Sequence, residues 1–276
     1  MALATVLALV AAGLHASWNL LIKTADDREL AAWGQFVFGG VALLPLVLVL
    51  GFPAVEAWPF LVASAVIHLL YVYGLVNAYH HGDFSLAYPL ARGGGALVAA
   101  LLGAAVLGDT LPVGGWIALS VVAIGLASLV RPGAPRAELG FALLTAAVIG
   151  TYTVIDTAGS RHTTDGFAYG IVLTAATGGV LTAAAIGRGR GRDIVRSARA
   201  GWRRHLVSGL CLATAYSLVL VAVRFAPVGY VATLRESSVV IGALLGWLVL
   251  HERLGGRRLV SSVVVAIGLV GLVVFR

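Results

Sequence analysis

"FSLAYPLARGGGALVAALLG" (Phe84–Gly103) would partition into oil along most of its length, yet Arg92 stands in its middle with Gly93, Gly94 and Gly95 directly behind it. An arginine at the centre of a bilayer costs at least about 2.5–3.5 kcal/mol on insertion scales. Each glycine weakens a helix by roughly 1 kcal/mol relative to alanine. A chain that accepts both at one point must gain something from the arrangement. What it gains depends on what surrounds this stretch.

The 276 residues are 60% hydrophobic and only 11% charged, with a mean hydropathy of +0.98. Soluble domains carry roughly 25% charged residues, so this chain lacks the polar surface to cover a globule in water. Its apolar runs of about 20 residues match the thickness of a hydrocarbon core. They are continuous, unlike the alternating strands of a membrane β-barrel. The chain reads as an all-α integral membrane protein with ten transmembrane helices. Gly, Pro and charge clusters divide it near 3–23, 30–50, 58–79, 84–107, 112–130, 138–158, 166–186, 204–224, 228–250 and 256–275. The first run has no basic segment ahead of it and is expected to span, not to be cleaved. Connectors such as "HHGD" (80–83) and "GDTL" (108–111) are short, so neighbouring helices are antiparallel.

Net charge is +7, and seven arginines fall in "GRGRGRDIVRSARAGWRRH" (187–205). In a membrane protein this cluster reads as a cytoplasmic loop, not a nucleic-acid site. The odd-numbered loops hold 14 Lys and Arg, the even-numbered loops and the C-terminus three. The positive-inside rule then predicts a multi-pass protein of the cytoplasmic membrane with both termini extracytoplasmic. The single cysteine, Cys211, excludes an internal disulfide.

An internal repeat organises the ten segments. A shift of 143 residues lays 84–129 over 227–272 with 15 of 46 positions identical, including "ALLG" (100–103 and 243–246) and "VVAIGL" (121–126 and 264–269). The polar matches are the telling ones. Arg92 falls on Arg235, Tyr73 on Tyr216, and Asp109 on Glu252. A shift of 134 lays the first helix over the sixth, matching Trp18 with Tyr152 and Asn19 with Thr153. The chain is expected to form two five-helix repeats, 1–134 and 135–276. An odd number of spans inverts the second relative to the first, a recurring construction of secondary transporters with a midplane site.

"GDFSLAYPLARGGGALVAALLGAAVLGDTL" (82–111), "APVGYVATLRESSVVIGALLGWLVLHERL" (226–254) and "HASWNLLIK" (15–23) resemble the EamA family of the drug/metabolite transporter superfamily. The resemblance covers essentially the whole chain. It implies a ten-helix transporter of small organic molecules with a central cavity. Asp109 departs from the glutamate usual at that place, which Glu252 keeps.

Arg92 and Arg235 each lie about eight residues into their helices, roughly 12 Å deep at 1.5 Å per residue. Entering from opposite faces, they arrive near the same level. Two guanidinium groups there can grip a carboxylate or phosphate bidentately; alternatively each is a structural arginine locked to Glu236, Asp156 or a helix-terminal carbonyl. Gly93–Gly95 either interrupt the helix at the substrate or let another helix approach closely. The second is favoured by Ser237 and Ser238, small residues at the repeat position. His15, Trp18 and Asn19 share one face of the first helix, with Lys23, the only lysine, at its end. Tyr152, Thr153 and Asp156 form the matching face of the sixth. The expected substrate contacts are Arg92, Arg235, Glu236, Trp18, Asn19, Tyr73, Tyr88, Tyr152 and Tyr216. His15, Lys23 and Asp156 are candidates for coupling. His15 could relay protons or be a packing residue, and Asp156 could pair with Lys23 or Arg92 or cap a helix end. Tyr73 and Tyr216 suit either a cavity wall or an interfacial belt. His80, His81 and Asp83 make no complete ligand set, and no metal, cofactor, nucleotide motif or catalytic acid–base pair is expected. The reading is a secondary transporter of a small, anionic or zwitterionic metabolite, working as a monomer or a homodimer. The alternative is a flippase for a lipid-linked intermediate.

Overall fold

In the computed structural model the described residues are 1–81, 84–128, 135–238, 240–241 and 256–275. They form helices and no strands. The helices are α1 (Ala2–Lys23), α2 (Arg28–Leu43), α3 (Trp58–His81), α4 (Phe84–Leu107), α5 (Val113–Ala127), α6 (Arg136–Arg161), α7 (Gly166–Gly187), α8 (Gly191–Ala222), α9 (Val228–Arg235) and α10 (Gly256–Val274). A 3-10 turn (Leu44–Leu46) and one further helical turn (Val47–Leu50) prolong α2. Among the described residues seven spans are long and apolar enough to cross a membrane, on α1 to α4 and α6 to α8.

Local chemistry sets the helix ends. Asp27 caps α2 through the Leu30 N–H, and Asp165 caps α7 through the Phe167 and Ala168 N–H groups. Such caps satisfy donors that a helix start leaves open. Pro112, Pro135 and Pro227 stand immediately before α5, α6 and α9.

The bundle has its polar groups inside and its apolar groups outside. Leu48, Val49, Val66, Val106 and Ile117 are exposed, whereas Arg92, Asp156, Arg235 and Glu236 are buried. This suits a lipid surround, where apolar side chains face outward and charges face protein or water. Helix α6 packs on α3 and α4, and α1 packs on α8 and α9. Helix α2 lies between α7 and α8, α3 also meets α7, α4 meets α9, and α5 pairs with α10.

Glycines set the closest approaches. A Cβ on Gly39 would collide with the Gly209 backbone, so α2 and α8 meet main chain to main chain. Gly93, Gly94 and Gly95 do not interrupt α4, which runs unbroken through them. They face Leu126, Ala146 and Ile149, the close-packing reading of these residues.

The break in a helix lies in the other half. Helix α9 ends at Arg235, and Glu236 forms a turn with its N–H on the Thr233 carbonyl 2.9 Å away. Helical geometry resumes at 237–238.

The basic segment 187–205 is also not a simple loop. Helix α8 begins at Gly191, some thirteen residues before the expected 204. Its start is tied to the α1–α2 connection. Arg190 reaches Asp27 at 2.6 Å and Glu29 at 2.5 Å, and Arg204 donates to the Leu21 carbonyl and the Thr24 hydroxyl.

Candidate functional site

A cavity of about 610 Å³ lies at the centre of the bundle. His15 and Trp18 come to it from α1, Gln35 and Phe36 from α2, and His68 and Tyr71 from α3. Arg92 (α4), Tyr152 (α6), Thr174 and Thr177 (α7), Tyr216 (α8) and Arg235 (α9) complete the polar and aromatic lining. A second space of about 720 Å³ shares Trp18, Gln35, Phe36 and Tyr71 with the first. It adds Asn19, Ile22, Arg28 and Val76, and so extends towards the end of α1 and the start of α2.

The opposite end is closed by a clasp. Arg161 forks onto both oxygens of Asp109 at 2.8 and 2.9 Å and also donates to the Val223 carbonyl. Asp109 accepts the Val228 N–H at 2.7 Å. The ends of α4, α6, α8 and α9 are thereby joined.

The two arginines differ. Arg92 donates from Nη2 to Glu236 Oε1 at 2.8 Å, with side chains only 5% and 1% exposed. Arg235 is 4% exposed. It makes no ion pair or hydrogen bond among the described residues, and its buried Nε has no partner there. One cation is committed, the other available.

Aromatic rings form the walls. His68 stacks on Tyr152 with centroids 4.3 Å apart, and Tyr71 and Tyr216 meet the same tyrosine edge-on at 5.7 and 6.2 Å. His15 sets its edge against Trp18 at 4.6 Å. Buried His15 Nε2 and Thr177 Oγ1 have no hydrogen-bond partner among the described residues, leaving polar atoms for whatever occupies the cavity.

Asp156, on α6, is fully buried. It makes no ion pair with Arg92, and the Lys23 side chain lies outside the described residues. Its oxygens accept from Tyr216 at 2.5 Å and Tyr169 at 3.3 Å.

Arg92, Arg235, Trp18, Tyr152, Tyr216 and His15 thus meet around one cavity. Asn19 lies in the adjoining space, with its amide on the His15 carbonyl at 2.8 Å. Glu236 stands behind Arg92. Tyr73 is a correction: it is 55% exposed on the outer surface, edge-on to Phe141. Two residues turn a helix by about 200° at 3.6 residues per turn, and Tyr71 is the tyrosine that faces inward. The 143-residue register therefore does not carry the environment of Tyr216 onto Tyr73. The side chains of Tyr88 and Lys23, together with Asp83 and Glu252, lie outside the described residues. Among the described residues no cluster of His, Cys, Asp or Glu could hold a metal ion.

Gln35 and His68 escaped the sequence reading because neither recurs in the repeat. Each is nevertheless a polar residue inside an apolar span, and its cost there was the available signal.

An all-α bundle of long apolar helices, with buried charges around a central cavity, defines a multi-pass membrane protein. The chain belongs to the EamA-like transporter family, whose model matches residues 137–274, half of its length. A solved structure titled only as the crystal structure of a protein shares the fold, with a TM-score of 0.76 at 16% identity over 98% of this chain and 97% of that one. None of the curated proteins compared with it matches.

Proposed function

We propose that the protein is a secondary carrier of a small organic anion or zwitterion, working by alternating access between two inverted five-helix repeats, 1–134 and 135–276. The observation that carries the anion is Arg235, a buried guanidinium at the cavity that makes no ion pair among the described residues. A buried cation without a contacting carboxylate is costly, and an arriving carboxylate or phosphate supplies that contact. Arg92 is held in position by Glu236 and adds its field to the same cavity. Trp18, Tyr152 and Tyr216 bound the apolar part of the substrate, and Asn19 meets it in the adjoining vestibule.

Packing supports the inverted halves. The main contacts between the halves recur with partners exchanged: α4 on α6 answers α9 on α1, and α3 on α6 answers α8 on α1. The pairs α2–α7, α4–α9 and α5–α10 join each helix to its own counterpart. The vestibule extends towards the side of the basic α7–α8 connection, while the Arg161–Asp109 clasp ties the helix ends on the other. With the positive-inside orientation this is an inward-open carrier.

The test is an untargeted metabolite comparison of cells overproducing the protein, Arg235→Ala and Arg235→Lys at matched membrane abundance. At least one small anionic metabolite should change with the native chain, not with Ala, and in part with Lys, which keeps charge but loses the planar fork. Identical profiles for native and Ala would refute the reading. A response confined to lipid-linked species would favour a flippase.

A further inference from the structure

With Arg92 paired to Glu236, the charged groups left around the cavity among the described residues are the Arg235 guanidinium and, behind its wall, the Asp156 carboxyl. They do not touch, but Tyr152 and Tyr216 lie in the electrostatic field of both. Tyr216 forms part of the cavity wall, and its hydroxyl turns back to Asp156 Oδ2 at 2.5 Å. This phenol is therefore a bridge from the cavity to a carboxyl that is 0% exposed. A hydrogen bond that short is characteristic of a hydroxyl on an ionised oxygen.

Charge balance gives the bridge a purpose. In the empty site the cation Arg235 and the anion Asp156 offset one another. An anion seated on Arg235 leaves one negative charge in excess within a low-dielectric surround, where an uncompensated ion is costly. One proton on Asp156 restores neutrality.

We propose that Asp156 is the binding site of a coupling proton, loaded through Tyr216 when an anion engages Arg235; this rests on the carrier reading above. A proton reaching the Tyr216 oxygen from the cavity forms a new O–H bond there. The hydroxyl's original O–H bond breaks, and that proton passes to Asp156 Oδ2, regenerating the phenol. The return runs in reverse when the anion leaves. Anion and proton travel together, and the loaded core carries no more charge than the empty one.

Other titratable groups face Asp156 from the surrounding helices. On α3 stands His68, whose Nδ1 meets the Ser64 carbonyl at 2.8 Å. Tyr169 on α7 supplies the second phenol. From α4 and α9 come Arg92, Arg235 and Glu236, and on α6 itself Tyr152 lies one turn away. Glu56, in a second 3-10 turn (Val55–Ala57) that touches α6, is exposed. The buried histidines that line the cavity, His15 and His68, are the competing proton sites.

The experiment needs no substrate, because the probe is the proton. Full-length protein in lipid bilayers is titrated while infrared absorption follows the carbonyl stretch of protonated carboxyls. A pH-dependent band is expected, lost in Asp156→Asn and displaced by carboxyl-13C aspartate in the native chain. The isotope keeps the test decisive even if the Asn variant fails to fold. Tyr216→Phe should displace the band, and Arg235→Gln should leave it more populated at equal pH. A titration with no aspartate-sensitive band, or one confined to imidazole bands and lost in His68→Gln or His15→Gln, would overturn the proposal. In that event, arginine variants that still abolish transport would leave the carrier reading standing. An intact band with unaltered metabolite profiles would do the opposite.

Discussion

Glu236→Met removes the carboxylate 2.8 Å from a guanidinium that is 5% exposed. At an effective dielectric near 20, unit charges about 4 Å apart attract by roughly 4 kcal/mol. Breaking a buried pair by deleting one partner typically costs about 3–5 kcal/mol, whereas replacing both with apolar residues is often neutral. Glu236→Met and Arg92→Met should therefore each lower stability by about 3–5 kcal/mol. The double variant should return to within about 1–2 kcal/mol of the native chain, a large positive coupling. The partly exposed Arg161–Asp109 clasp, at 30% and 13%, is the internal contrast: exposed pairs are worth only about 0–1 kcal/mol. Unfolding in mixed micelles of a mild detergent and dodecyl sulfate, followed by the fluorescence of the six tryptophans, reads all four corners of the cycle. Additive losses, within about 0.5 kcal/mol, would refute the claim that the two residues act as one buried pair.

Gly39→Ala should destabilise by about 1–3 kcal/mol, because its methyl meets the Gly209 main chain, which cannot yield. Gly13→Ala, with open space at its Cβ, should instead gain about 0.4–1 kcal/mol; the same unfolding assay gives both signs, and a reversal would contradict the packing. In a Cys211→Ser background, Arg192→Cys should resist impermeant thiol reagents in intact cells while Glu56→Cys reacts; the opposite pattern would invert the orientation. Burial raises the Asp27 carboxyl, but the Leu30 N–H and Arg190 more than offset it, holding it below its usual 3.8. Its stabilisation is thus complete above the ordinary carboxylate range and fades as pH falls through the lowered value, so Asp27→Asn should flatten the acid limb of stability by less than about 1 kcal/mol.

The helical runs were legible because the bilayer enforces a length and a composition on each of them. Position along the chain was therefore readable, but rotation about each helix axis was not. Tyr71 and Tyr73 are equally apolar-looking neighbours, and only the packing of α3 decides which one turns inward. Helix continuity misled in the other direction. Glycine propensities are measured in water, which competes for exposed peptide groups; in lipid the Gly93–Gly95 peptides have no alternative partner, and α4 stays whole. The real interruption, at Arg235–Glu236, carries no Gly or Pro to announce it. Helix α8 was shortened in the sequence reading because its first turns are polar, although a helix outside the membrane has no need to be apolar. Of the site, the arginines and the repeat-matched aromatics were legible as costly or symmetric residues. Which arginine Glu236 pairs with needed coordinates.

The Arg92–Glu236 pair also has a history within each molecule. Its members are 144 residues apart, so at about 5–20 residues per second the ribosome takes roughly 7–30 s to supply the carboxylate after the guanidinium has emerged. Through that interval α4 is a nascent segment whose central residue resists the lipid, with the second half still to be synthesised. Such a segment waits at the insertion machinery, or beside it under a chaperone, until α9 arrives. The first five helices are then an assembly intermediate instead of a finished unit, and quality control can read chain completion from a single charge.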